Sequence, residues 1–312
     1  MGAFLIGPFR VFFPGLLHGV CATMTRHHES TRRQFLQCAT LGATSTMLGL
    51  HTALAPGRTA VAAGAAGPRP RPLRLALASY TTRKFSLDQT LAMTARVGLD
   101  AVCLKSFHLP LDATAEQIQA ATAQVTAAGI ELYGGGVITM NTAQQVHQAF
   151  AYAQAAGMSR IIGVPAPEML PLVNDQVQQY DIQVCIHNHG PGDDVYPTPD
   201  VAYERIKTLD KRIGLCHDVG HTVRVGKDPA ALSQQCADRL LDVHIKDVTA
   251  ASAEGVSTPC GRGVMDLPKL LRTFLDIGYT GFLAFEYEEQ PDDPLPGLAE
   301  SVGYIRGVLD AL

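Results

Sequence analysis

The run Ile213-Gly214-Leu215-Cys216-His217-Asp218-Val219-Gly220-His221 decides how the rest of the chain is read. Its first four residues have the pattern of a buried strand and lead straight into a polar cluster, with Asp218 and His221 three apart around Gly220. Carboxylate and imidazole groups at a strand end are residue types that bind metal. The plan recurs about one helix later in Leu241-Asp242-Val243-His244-Ile245-Lys246-Asp247, and again in Gly281-Phe282-Leu283-Ala284-Phe285-Glu286. Each run carries a ligand-type side chain at its C-terminal end. Parallel strands presenting polar groups at one rim are how a (β/α)8 barrel builds an active site.

Working outward, short apolar runs alternate with helical patterns of ten to fifteen residues from Leu73 onward, the signature of repeated βα units. Further strands are expected at 73–79, 101–105, 130–137, 160–164 and 183–187. Helices are expected to open at Ser86, Thr114 (with Glu116 and Gln117 behind it), Thr142, Met169, Asp200, Asp228-Pro229 and Asp266, with a last one near 298–309. The count reaches eight units. The expected fold is α/β, a single (β/α)8 TIM barrel over residues 73–312, close to the usual ~250 residues.

Residues 1–72 read as an address rather than as part of the fold. Thr31-Arg32-Arg33-Gln34-Phe35-Leu36 resembles a twin-arginine export signal, and a weakly apolar run follows to Leu54. Small residues at Ala60-Val61-Ala62-Ala63 suit signal peptidase, and a Pro/Arg linker leads into the first strand. The run is too poor in Leu and Ile for a stable membrane anchor, so a periplasmic location is expected. Met24 offers a more ordinary signal start than Met1.

The whole chain has a net charge of −4, with 25 basic and 29 acidic residues. Residues 1–72 hold seven Arg and one Glu, leaving 18 basic and 28 acidic residues in 73–312, a net charge of −10. A domain that acidic repels phosphate backbones, so no nucleic-acid partner is expected. Five of the seven Cys fall at 103, 185, 216, 236 and 260, without CxxC spacing, which indicates neither a disulfide framework nor a zinc knuckle.

Strand alternation tells which side chains face the barrel axis. If Leu241, Val243 and Ile245 pack on helices, then Asp242, His244 and Lys246 point inward. The same count groups Cys185 with His187 and His189, and Ala284 with Glu286. His187, Asp218, His244 and Glu286 then converge at the rim of four consecutive strands. Two imidazoles and two carboxylates suit a divalent Mn, Zn, Co or Fe ion rather than calcium. Lys246 points to the same mouth, to polarise a substrate oxygen or to pair with Asp242. His108, at the end of the second strand, and His189 are further candidates for substrate contact.

With the runs at 215–221 and 242–247, Gly261-Arg262-Gly263-Val264-Met265-Asp266, and Phe285-Glu286, the chain resembles the sugar phosphate isomerase/epimerase family of xylose-isomerase-like barrels across Leu73 to Leu312. The resemblance implies that Asp218, His244 and Glu286 are metal ligands, that His221 contacts substrate hydroxyls, and that Arg262 grips the far end of the substrate. One position departs. The family's fifth strand usually carries a Glu in a Glu-Asn-His context, where this chain has His187-Asn188-His189. Epimerases of the family pass a proton between two glutamates, so the departure weakens that mechanism. Glu168, after the fourth strand, is the candidate carboxylate to replace it.

The resulting expectation is a metal-dependent isomerase or epimerase that removes a proton next to a carbonyl of an unphosphorylated, small-molecule carbohydrate, with Glu286, His221 and Glu168 as catalytic candidates. The alternative on the same scaffold is a lyase or hydratase acting on 3-keto-glycosides. A non-catalytic sugar-binding barrel and a nuclease of the AP-endonuclease type are more remote. A homo-oligomer is compatible with all of these.

Overall fold

In the computed structural model, residues 73–312 are described; the export signal and linker read at 1–72 lie outside the described residues. Eight apolar runs form parallel strands: β1 (Arg74–Ala78), β2 (Ala101–Leu104), β3 (Glu131–Met140), β4 (Arg160–Pro165), β5 (Gln183–His187), β6 (Ile213–Asp218), β7 (Leu240–Ile245) and, after a two-stranded hairpin of β8 (Asp247–Val248) and β9 (Ser257–Thr258), β10 (Phe282–Phe285). Each of these eight pairs with its neighbours and β10 closes on β1, so the barrel itself has no open edge. The chain forms a (β/α)8 barrel.

The helices between them are α1 (Leu87–Arg96), α2 (Ala115–Ala127), α3 (Ala143–Ala155), α4 (Leu170–Tyr180), α5 (Pro199–Ile206), α6 (Val219–Arg224), α7 (Pro229–Gln235), α8 (Leu267–Asp276) and α9 (Leu295–Ala311). Ser86, Thr114 and Thr142 each accept from the backbone three residues on, and Gln89, Gln117 and Gln145 return the bond, so the first three helices start with full capping boxes. Two features were absent from the sequence reading. The short helix α6 is capped by Asp218 itself, and the chain just after β7 folds into the β8–β9 hairpin.

Period-two alternation sorts the strand residues onto two faces. Leu75, Leu77, Val102, Leu104, Val243 and Ile245 pack outward on helices, while Ala76, Ala78, Ala101, Cys103, Cys185, Cys216 and Ala284 fill the barrel axis. Toward the N-terminal end the interior is closed by Tyr133 stacked on Phe282, with ring centroids 3.9 Å apart. Buried beside them, Asp242 accepts from the Tyr133 hydroxyl at 3.4 Å and faces Arg160 at 3.8 Å. Burial pushes the Asp242 carboxyl up to about 6. Large side chains below and small ones above leave the C-terminal end of the axis to polar groups.

Candidate metal centre

Strand register brings the polar groups together. Asp218 is paired with His244 across β6 and β7, His244 with Ala284 across β7 and β10, and Glu286 is the next inward residue after Ala284. His187 closes the arc from β5. The four donor atoms lie within 4.8 Å of one another and all four residues are buried. His187 Nε2 is 3.0 Å from His244 Nδ1 and 3.5 Å from Asp218 Oδ2, and His244 Nδ1 is 3.1 Å from Glu286 Oε2.

The arrangement fits a divalent cation. The near nitrogens of two imidazoles face each other across the centre of the cluster, with Asp218 Oδ2 and Glu286 Oε2 beside them. A shared cation would take one lone pair from each of these four donors at once, with both imidazoles neutral. Burial above all holds His187 well below the ordinary imidazole range, so it is neutral and in the ligating form. Burial opposes the charge on Asp218, yet His221, Lys246 and His187 together keep it ionised, well below the usual carboxylate range. Its other oxygen, Oδ1, accepts from the His221 backbone N–H at 2.8 Å, which fixes Oδ2 toward the centre. Two nitrogens and two carboxylate oxygens match Mn, Fe, Co or Zn.

Two lysines surround the carboxylates. Lys246 Nζ lies 2.9 Å from Asp218 Oδ2 and 3.0 Å from Glu286 Oε2, and also pairs with Glu288. Lys105 Nζ holds Glu286 Oε1 at 2.7 Å. Burial disfavours charge on Glu286, but His244, Lys105 and Lys246 outweigh it and hold the carboxyl well below its usual range. Lys246 is pushed well above its ordinary value by Asp218, Glu286 and Glu288 despite burial. A cavity of about 290 Å³ opens above the cluster, lined by Tyr80, Lys105, Val137, His187, His189, His221, Glu286 and Glu288.

Not every residue singled out in the sequence arrives there. His187, Asp218, His244, Glu286, Lys246 and His221 share the site, and His189 lines its wall with its ring 4.5 Å from that of His187. His108 does not line the mouth. Its ring is buried between Ser79 Oγ at 2.8 Å, Thr90 Oγ1 at 3.0 Å and the Phe85 carbonyl at 3.1 Å, where it pins the segment after β1. Arg262 is not brought to the site either; its side chain is 65% exposed and paired with Glu300 of α9. Glu168 stands exposed at the turn after β4 and lines a neighbouring cavity with His189, not the wall beside Glu286. Lys105 and Glu288 were missed. Lys105 continues the inward series Ala101, Cys103, so strand parity could have found it; Glu288, in the loop after β10, is recruited by Lys246.

Comparison with known proteins places this geometry. Residues 91–308 match the family model described as xylose isomerase-like TIM barrel. The chain is 27% identical over 145 residues to the rhizopine catabolism protein MocC of Rhizobium meliloti, covering 42% of this chain and 44% of that protein. It is 26% identical over 137 residues to an inosose dehydratase of Lacticaseibacillus casei, covering 39% and 46%. The matched region thus spans less than half the length of these relatives. Among solved structures, an L-ribulose 3-epimerase superposes with a TM-score of 0.64 at 16% identity over 77% of this chain and 95% of its own. The IOLI protein with a bound zinc atom gives 0.64 at 16% identity over 77% and 99%. At such identities the superpositions speak for the fold. With more than half of its length matched by the family model and a closed eight-stranded barrel, the chain belongs to the xylose isomerase-like TIM barrel family.

Proposed function

We propose that this barrel is a divalent-metal-dependent lyase that removes a proton next to the carbonyl of an unphosphorylated keto-carbohydrate and expels the β-substituent. The observation that carries this reading is the make-up of the cavity wall. Of the two carboxylates on the lining, Glu288 pairs with Lys246 and Glu286 belongs to the donor cluster, while His187, His189 and His221 add three imidazoles and β5 ends in a histidine rather than a carboxylate. One proton acceptor faced by N–H donors suits elimination or isomerisation; inversion needs an acceptor on each side. His187, Asp218, His244 and Glu286 would hold the ion, which when bound polarises the carbonyl and stabilises the charge that forms on it.

The chain's own groups supply the rest. Lys105 and Lys246 pair with substrate oxygens as charge develops there, which frees Glu286 from the cations that depress its basicity. Glu286 then takes the carbon-bound proton, the C–H electrons form the double bond, and the leaving oxygen departs with a proton from His221 in its imidazolium form. The inosose dehydratases among the relatives support elimination over epimerisation. The Arg32-Arg33 pair supports a site of action outside the cytoplasm, where phosphorylated sugars are scarce. Proton NMR in deuterated water, with the metal-loaded protein and a panel of inososes and 3-keto-glycosides, tests the reading. The expected product is an unsaturated ketone lacking the β-substituent, and Glu286→Gln lowers its rate by about 10³-fold. A product that keeps all its oxygens and gains solvent deuterium at an inverted carbon would refute elimination.

A further inference from the structure

We infer that the substrate carries an apolar, aromatic aglycone, seated in a second cavity beside the metal centre. This deepens the carbohydrate reading above, on which it relies only for the identity of the sugar end. The second cavity measures about 560 Å³, nearly twice the one over the metal ligands, and His189 lines both. By itself it lies within the ~300–1,000 Å³ range of clefts that hold small organic ligands. A sugar ring at the metal therefore has a further compartment open next to it.

The walls of this compartment are built rather than incidental. On one side, Pro165, Ala166 and Pro167 form a stiff run at the end of β4, with Val164 behind it. On the other, the loop after β5 is folded back and fixed: Asp193 Oδ1 accepts from Val195 N at 2.8 Å and Tyr196 N at 3.0 Å, and the His189 backbone donates to the Tyr196 carbonyl at 3.2 Å. The buried Tyr196 hydroxyl donates to the Pro165 carbonyl at 2.7 Å, which ties the two walls together. Val195 is left 37% exposed on the lining, an apolar side chain that a ligand would cover.

Charge decides the class of occupant. The lining contains Glu168 and Asp193 and no Lys or Arg, so a phosphate or sulfate group is repelled. Proline rings and valine offer flat apolar faces that suit an aromatic ring, while Thr139 and Asn141 leave room for a hydroxyl or two at its edge. A second sugar would turn part of its hydroxyls onto the four apolar faces of Val164, Pro165, Pro167 and Val195, which cannot hydrogen-bond them, although Asn141, Glu168 and Asp193 could meet others.

Binding of unoxidised, unreactive glycosides to the metal-loaded protein tests this without turnover. p-Nitrophenyl β-glucoside is expected to bind at least about tenfold more tightly than methyl β-glucoside or cellobiose by calorimetry. Val195→Asp, at an exposed loop position, and Ala166→Trp, which fills the compartment, should each bring that ratio close to one while methyl glucoside binding and the circular dichroism spectrum stay unchanged. Equal affinities for the three glycosides, tighter binding of cellobiose, or a preference that survives both substitutions would overturn the inference. An intact aryl preference with no elimination from the 3-keto forms supports it and removes the lyase reading instead.

Discussion

At the scale of single residues, strand parity is what made the site readable. Inward alternation on four strands picks out His187, Asp218, His244 and Glu286 without any structure, because a side-chain period of two leaves no choice of face once the outward residues are fixed. Parity says nothing about loops, which is why Glu288 was missed and Arg262 overvalued. It is also silent on protonation, as His217 illustrates. This neighbour of Asp218 points outward, with Nδ1 2.9 Å from Ser233 Oγ and Nε2 2.8 Å from Thr222 Oγ1, and burial brings its imidazole down to about 4. Above pH 6.5 it is neutral both folded and unfolded, so it contributes nothing to pH dependence there. As pH falls from 6.5 toward 4 the unfolded chain takes up the proton first, and stability is lost, by about 2 kcal/mol at pH 5. His217→Gln, which keeps an amide in reach of both hydroxyls, should remove about that much of the acid sensitivity. Urea unfolding between pH 7 and 5 in the presence of a chelator reads it, and an unchanged slope against pH would show that His217 is not responsible.

At the scale of elements, the Gly261-Arg262-Gly263 segment explains why a motif can be recognised and its purpose mistaken. The fully buried Asp247, which opens β8, accepts from the backbone of Val248 at 2.9 Å, Gly261 at 3.0 Å, Gly263 at 3.0 Å and Met265 at 3.3 Å. A Cβ on Gly263 would sit 2.1 Å from Asp247 Oδ1, and Gly261 has φ of +88° with the Tyr304 ring 2.3 Å from where its Cβ would be. The glycines thus let the loop wrap a carboxylate, and Arg262 between them turns outward to Glu300. Sequence shows glycines flanking an arginine; only the fold shows which partner needs the space. Asp247→Ala leaves four N–H groups without their acceptor and should destabilise the barrel by about 4 kcal/mol, with Asp247→Asn losing less. Metal affinity of the folded fraction should be nearly unchanged, since Asp247 is not among the four clustered donors. Denaturant titration alongside metal calorimetry separates the two effects, and a loss below about 1 kcal/mol would mean that the loop finds other partners.

For the whole molecule, the eight-unit pattern was legible because each apolar run is bounded by a cap or a glycine, whereas α6 and the β8–β9 hairpin were not, being too short to carry a period of their own. The closed barrel also determines how metal binding is felt. Its four donors come from β5, from the ends of β6 and β7, and from just past β10, so a bound ion fastens together one contiguous half of the ring. Unlike a zinc finger, the metal-free barrel has its own large core, and Lys105 and Lys246 already neutralise the carboxylates. Removing metal should therefore lower the melting temperature without unfolding the protein at 25 °C. At free metal a hundred times the Kd the gain is about 2.7 kcal/mol, worth roughly 5–10 °C for a domain of this size. His187→Ala should keep most of the metal-free melting temperature and lose most of the metal-induced rise, because removal of one donor weakens the ion's hold without opening the core. Scanning calorimetry with chelator and then with Mn, Co or Zn gives both numbers, and a melting temperature indifferent to all three ions would show that the cluster is a lysine-bridged ionic network and not a metal centre.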